Sequence, residues 1–190
     1  MAGYALFPTA IGPCGLAWGE RGLVGVYFPE ASEAATRARI ERRWPDLGEA
    51  APPPMVAAAI EAIRALLDEG RADLAAVELD MDGIEPAERA ILEAARRIPP
   101  GQTRTYGELA AEVGRPGAAR EVGAAMARNR FPIVVPCHRV VAAGGGFGGF
   151  SAPGGLECKA RLLTIERAVT SPAPLLFDGL PISVRPRRSP

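Results

Sequence analysis

A chain of 190 residues, 48% of them hydrophobic and 23% charged, is long enough to bury one large core or two small ones. Its 22 basic and 22 acidic residues cancel, and the absence of a basic, apolar leader or an eighteen-residue apolar window argues against export and membrane insertion. Three widely spaced cysteines and a single histidine form neither a disulfide framework nor a zinc pattern, so a cytoplasmic protein without metal or other cofactor is expected.

The first elements read as a small α+β unit. Leu16 to Trp18 and Leu23 to Phe28 are strand-like runs around the turn Gly19-Glu20-Arg21-Gly22. Helices are expected over about 33–44 and 55–68, separated by Pro52-Pro53-Pro54, and Val77 to Met81 offers another strand. Cys14, between Pro13 and Gly15, reads as a packed turn residue, and nothing in residues 1–83 forms a catalytic constellation.

From Ile84 the pattern turns helical: Ala87, Ala90, Ile91, Ala94, Ala95 and Ile98 follow the i, i+3, i+4, i+7 rule, with Pro86 suited to the first turn. Thr105-Tyr106-Gly107-Glu108 is a capping box opening a helix whose Tyr106, Leu109, Ala110 and Val113 share a face. Gly114-Arg115-Pro116-Gly117 breaks it, and a second helix runs from about Ala118 to Asn129. Its core face carries Ala118, Ala119, Val122, Ala125 and Met126; the opposite face carries Arg120, Gly123, Ala124 and Ala127. Two helices joined by such a turn fit either a helix-turn-helix lying against a nucleic-acid backbone or a packed helical hairpin.

Next comes the apolar run Phe131 to Val135, read as a strand, and then Pro136-Cys137-His138-Arg139-Val140. The only histidine beside a cysteine suggests a nucleophile with its base, against the alternative of a buried small hydrophobe. Ala142 to Ser151 is a glycine-rich wall, not a phosphate cradle, because no Gly-Lys-Ser/Thr follows. The last helix, from Gly155 or Leu156, sets Leu156, Ala160 and Leu163 on a stripe that Glu166 extends. An acid on a core stripe needs a partner, either His138 or a surface arginine such as Arg161 or Arg167. Residues 171–190 read as a Pro- and Arg-rich tail.

The charge is unevenly divided. Residues 1–92 hold eight arginines and fifteen acids, whereas 93–170 hold eleven basic residues and six acids. A basic half that bears the cysteine suits approach to a polyanion.

Together these residues resemble the O6-alkylguanine-DNA alkyltransferases, the methylated-DNA protein-cysteine methyltransferases. The likeness is carried by Ile98 to Ala110, Ala119-Arg120-Glu121-Val122-Gly123, Pro136 to Val141 and Gly154 to Lys159, in that order. It implies an α/β chain, more narrowly α+β. A ribonuclease-H-like domain over 1–83 would precede a mainly helical winged-helix, helix-turn-helix catalytic domain over 84–170. It further implies irreversible, single-turnover transfer of an alkyl group from O6-alkylguanine, with O4-alkylthymine a second candidate, to Cys137 after base flipping.

By the same resemblance, His138 is the base acting through a water, Glu166 orients His138, and Asn129 ties the recognition helix to the active-site turn. Tyr106, Ser151 and the carbonyls of Cys137 and Val140 face the guanine. Arg120 enters the vacated stack, and Ala119, Gly123, Met126 and Arg115 serve the minor-groove contact with double-stranded DNA. The protein would be a nucleoid-associated monomer. Glu121, Arg130 and Ala87 depart from the family's commoner alanine, proline and aromatic or threonine, which bears on DNA affinity more than on chemistry. The rivals are a damage binder that lacks the cysteine, a cysteine hydrolase and a plain helix-turn-helix regulator. Retention of Cys137 speaks against the first, and adjacent residues of an extended segment pointing apart speak against the second.

Overall fold

The computed structural model describes residues 2–168. Strands β1 (Gly3–Phe7), β2 (Cys14–Gly19) and β3 (Gly22–Tyr27) form an antiparallel meander in that order, and Gly19 faces Gly22 across the expected hairpin turn. Both faces of this sheet are covered. Ala5, Phe7, Leu16 and Trp18 join the main core, while Tyr4 and Ala17 pack on Ile40 beneath α1 (Glu33–Arg43). Double coverage replaces polar alternation with a continuous apolar run, so β1 carries no period-two signal. Cys14 starts β2, fully buried, and is a strand residue instead of the expected turn residue.

Helix α1 begins where Ser32 accepts a hydrogen bond from the Ala35 N–H at 3.1 Å. Helix α2 (Pro54–Glu69) ends at Gly70, whose φ of 75° and position make glycine obligatory: a Cβ there would lie 2.0 Å from the Ile165 carbonyl oxygen. That contact brings the end of α2 against the end of the last helix among the described residues, one residue before Glu166.

The strand expected at Val77 to Met81 is absent. Leu79 makes one parallel bridge to Leu23, and the preceding carbonyls of Leu74, Ala75 and Val77 accept from the Arg96 guanidinium instead of a neighbouring strand.

The second half contains α3 (Pro86–Arg96), β4 (Arg104–Thr105), α4 (Tyr106–Glu112), α5 (Ala119–Arg128), β5 (Val140–Val141) and α6 (Gly155–Ile165). The capping box is formed: the Glu108 N–H donates to Thr105 Oγ1 at 3.1 Å, and the Thr105 N–H donates to Glu108 Oε2 at 2.6 Å. Parallel pairing of Arg104 with Val140 and Thr105 with Val141 places the start of α4 beside the Cys137 segment. The core is continuous from Leu16 and Trp18 through Ile63 and Leu92 to Leu109, Val122 and Phe131. The architecture is α+β, with a small antiparallel sheet and helices segregated along the chain. No helix among the described residues is long and apolar enough to cross a membrane. The tail read at 171–190 lies outside the described residues.

Two local expectations are corrected. Phe131 to Val135 is a tight turn, closed by the Val135 N–H on the Phe131 carbonyl at 2.7 Å, with buried Ile133 at φ 73°. Such a conformation is rare for a β-branched residue and marks strain held by its surroundings. The buried stripe of α6 is Lys159, Leu162, Leu163 and Glu166, whereas Leu156 is 50% exposed. The sequence stripe is rotated because a lysine, not a leucine, faces inward.

Candidate active site

The strained turn is pinned by Asn129, which caps α5. Its side-chain oxygen accepts from the Phe131 N–H at 2.9 Å, and its amide donates to the Val135 carbonyl at 2.9 Å. One side chain thus fixes both ends of the segment that delivers Cys137. Cys137 to Arg139 then form a single 3₁₀ turn, not an extended strand end. His138 is fully buried, while Cys137 lines two cavities.

His138 Nε2 lies 2.9 Å from Glu166 Oε1. Glu166 is also gripped by Arg139, whose Nε donates to Oε2 at 2.8 Å and whose Nη2 donates to Oε1 at 2.7 Å, while Nη1 donates to the Ile98 carbonyl at 2.5 Å. Neither surface arginine competes: Arg161 donates to the Ala10 carbonyl, and Arg167 is exposed. Burial alone would raise the Glu166 pKa, but the hydrogen bonds from His138 and Arg139 and the charge of Arg139 outweigh it and hold it at about 2. Burial pushes the His138 pKa down against the opposing pull of Glu166.

An ionised carboxylate only accepts, so Nε2 of the neutral ring must carry the proton and donate it to Glu166. Nδ1 is then the basic nitrogen, and it has no hydrogen-bond partner among the described residues.

Burial raises the Cys137 thiol pKa, while the Asn129 side chain and the charge of Lys159 pull it back down. At rest the sulfur is therefore a thiol, and it needs a base. Lys159, fully buried on α6, donates from Nζ to the Val140 carbonyl at 2.6 Å and the Phe147 carbonyl at 2.5 Å. Burial lowers its pKa to about 8, opposed by Cys137.

A cavity of about 510 Å³ opens over the sulfur, walled by Tyr106, Arg120, Gly123, Met126, Gly149 and Ser151, with Ala119, Ala127 and Phe150 between them. The Tyr106 hydroxyl donates to the Gly149 carbonyl at 3.3 Å, and Gly148 (φ 69°) lies flat on the ring, where a Cβ would come within 2.7 Å of Cε2. Burial raises the Tyr106 pKa, and a Cys137 thiolate would raise it further, which keeps the hydroxyl a donor. Ser151 Oγ donates to the Ala127 carbonyl at 3.3 Å, joining the glycine-rich wall to α5. Arg120 is exposed at the mouth, on the face of α5 opposite buried Val122, Ala125 and Met126.

Two residues of the expected set lie off this wall. Val140 is buried in β5 with its carbonyl held by Lys159, and Arg115 pairs with Glu121 at 2.7 Å. The Cys137 carbonyl accepts from the Val140 N–H, which leaves one lone pair free. Sequence reasoning assigned no role to Arg139 or Lys159. The signal for Lys159 was the α6 periodicity read from Glu166 backward, since positions 159, 162 and 166 share a face.

The family model described as "6-O-methylguanine DNA methyltransferase, DNA binding domain" matches residues 86–168. A methylated-DNA–protein-cysteine methyltransferase of Mycolicibacterium paratuberculosis is 47% identical over 102 residues, which cover 54% of this chain and 60% of that relative's length. One of the same name from Methanosarcina acetivorans is 36% identical over 165 residues, covering 86% of this chain and 97% of the relative. The crystal structure of Mycobacterium tuberculosis OGT in complex with DNA superposes with a TM-score of 0.65 at 32% identity, over 86% of this chain and 91% of that one. The likeness to the Methanosarcina relative covers most of this chain and nearly all of that relative, and the chain belongs to the methylated-DNA–protein-cysteine methyltransferase family.

Proposed function

We propose that this protein reverses alkylation damage in DNA by moving an alkyl group from guanine O6 to Cys137. The observation that carries the reading is the geometry at Cys137: the cysteine lines an open cavity, and the adjacent buried His138 sets Nε2 2.9 Å from Glu166 Oε1 and leaves Nδ1 without a partner among the described residues. A purine fits a 510 Å³ cavity comfortably.

A base in a duplex hides its O6 substituent, so the lesion must rotate out, at a cost of about a few kcal/mol. Arg120, at the cavity mouth on the smooth face of α5, fills the vacated stack, while Ala119, Gly123 and Met126 let the helix approach the minor groove. Arg115 and the other arginines of the basic half supply phosphate attraction. Inside the cavity, Ser151 meets the O6 edge and Tyr106 donates its hydroxyl hydrogen bond to the base. The free lone pair of the Cys137 carbonyl receives the exocyclic amine, with Val140 as its more distant companion. His138 Nδ1 takes the thiol proton through a water, the sulfur–carbon bond forms as the carbon–oxygen bond breaks, and the guanine leaves with the electron pair and gains a proton. The thioether has no second nucleophile to release it, so each molecule acts once. The same reading makes the protein a cytoplasmic, nucleoid-associated monomer, with O4-alkylthymine as a second substrate.

The extrusion role of Arg120 is tested by comparing duplex DNA containing O6-methylguanine with free O6-benzylguanine. Arg120→Ala is expected to slow transfer from duplex at least tenfold and transfer from the free base less than twofold. Equal losses on both substrates would remove Arg120 from extrusion.

A further inference from the structure

Cys137 also lines a second cavity, of about 390 Å³, that lies between the first-half elements β3 and α1 and the end of α5. It shares Met126, Ala127, Cys137, Phe150 and Ser151 with the base cavity, so the two chambers adjoin along these residues, Cys137 among them. Its outer wall is unusual in charge. Arg39, Arg42 and Arg43 of α1 face it together with Arg128 and Arg130, and no aspartate or glutamate lines it.

Two of these arginines are neutralised: Arg39 pairs with Glu30, and Arg128 pairs with Glu88 at 2.7 Å. Arg42, Arg43 and Arg130 have no carboxylate partner among the described residues. Arg43 stacks on Trp44 at 4.4 Å, and Arg130 stacks on Phe131 at 5.6 Å while one nitrogen donates to the Asp82 carbonyl at 3.0 Å. Stacking steadies a guanidinium without occupying its N–H edge, which leaves a fork suited to carboxylate or phosphate. The first half of the chain is acidic overall, yet it turns its α1 arginines to this chamber.

With guanine in the first chamber and its alkyl carbon at Cys137, the adjoining second chamber offers room to whatever extends beyond that carbon. We propose that the second chamber is a tail subsite selecting alkyl groups that end in an anion, a carboxylate or phosphate several atoms from the transferred carbon. The inference rests on the alkyl-transfer reading of Cys137. Transfer of such a group forms the Cys137 Sγ–carbon bond and breaks the carbon–O6 bond. The thiol proton ends on the released guanine, and the anionic tail stays in the chamber as part of the thioether. A flanking DNA phosphate is the less favoured occupant, because Ala119 and Arg120 line only the base cavity and the arginine cluster lines only the other.

The test measures rates of Cys137 labelling by O6-benzylguanine and by its 4-carboxybenzyl and 4-aminomethylbenzyl analogues, in the wild type and in the double variant Arg42→Gln/Arg43→Gln. The wild type is expected to prefer the carboxylate over the ammonium probe about tenfold, the preference shrinking in 0.5 M salt and falling below twofold in the double variant. Equal rates on all three probes, or a preference that survives the double substitution, would overturn the tail subsite while leaving alkyl transfer standing. Equal rates combined with weaker, less salt-dependent duplex binding by the variant would assign the cluster to DNA phosphate instead. Failure of every probe to label Cys137 would end the alkyl-transfer reading and the subsite with it.

Discussion

Replacing Arg139 by alanine is expected to destabilise the fold by about 3–5 kcal/mol, the usual consequence of stripping one partner from a buried ion pair. The guanidinium is almost fully enclosed and makes two bonds to Glu166 and one to Ile98. Its removal leaves the Glu166 carboxylate with the His138 N–H alone and takes the guanidinium donor from the Ile98 carbonyl. For a chain of this size that corresponds to a fall in Tm of roughly 10 °C, measured by thermal unfolding at pH 7. A shift below about 2 °C would show that Glu166 does not depend on Arg139. The wild-type fold should also weaken in acid in a defined window. Glu166 titrates at about 2 when folded against an ordinary 4.5, so its contribution is complete above 4.5 and is lost as pH falls toward 2. In Arg139→Ala that window should narrow.

Glu166→Gln is expected to slow labelling of Cys137 by free O6-benzylguanine at pH 7 by about a hundredfold, within the range of lost general base catalysis. The amide keeps the shape of the carboxylate but removes the charge that fixes Nε2–H and makes Nδ1 basic. Hydroxide must then take the thiol proton. The variant's rate should climb about tenfold per pH unit up to the thiol pKa, whereas the wild-type rate should be nearly flat above neutrality. A wild-type profile in Glu166→Gln would reject the relay. His138→Gln should copy the slope, which distinguishes a lost relay from a general loss of structure.

Where local physics acts alone, the elements follow from the residues. The capping box at Thr105, Pro86 at the head of α3 and the glycine break between α4 and α5 are satisfied by neighbours within a few positions, so their chemistry is visible in the chain. Elements set by distant contacts are not. β1 lacks alternation because α1 covers its second face; Val77 to Met81 pairs with β3 at Leu79 alone, while Arg96, far along the chain, takes the carbonyls of Leu74, Ala75 and Val77 that lead into it. Phe131 to Val135 looks like a strand and is a turn because Asn129 binds both its ends, and a single amide cannot be weighed against five apolar residues from sequence. In the site, the isolation of His138 beside Cys137 is plain in the chain, and Glu166 could be paired with His138 by its place on a buried face, a pairing present at 2.9 Å. The third member, Arg139, is hidden because a 3₁₀ turn folds it inward where an extended strand would turn it to solvent. Lys159 is hidden because lysine on a core stripe runs against the general pattern of burial.

The most direct test of the central claim is the mass of the Cys137 peptide after the protein is mixed with a small excess of duplex DNA containing O6-methylguanine. A gain of about 14 Da, confined to Cys137, reaching one equivalent per protein and absent in Cys137→Ala, is the predicted result, since a thioether with no releasing nucleophile consumes the molecule. An unmodified Cys137 peptide after complete mixing, or turnover of many lesions per protein, would contradict it.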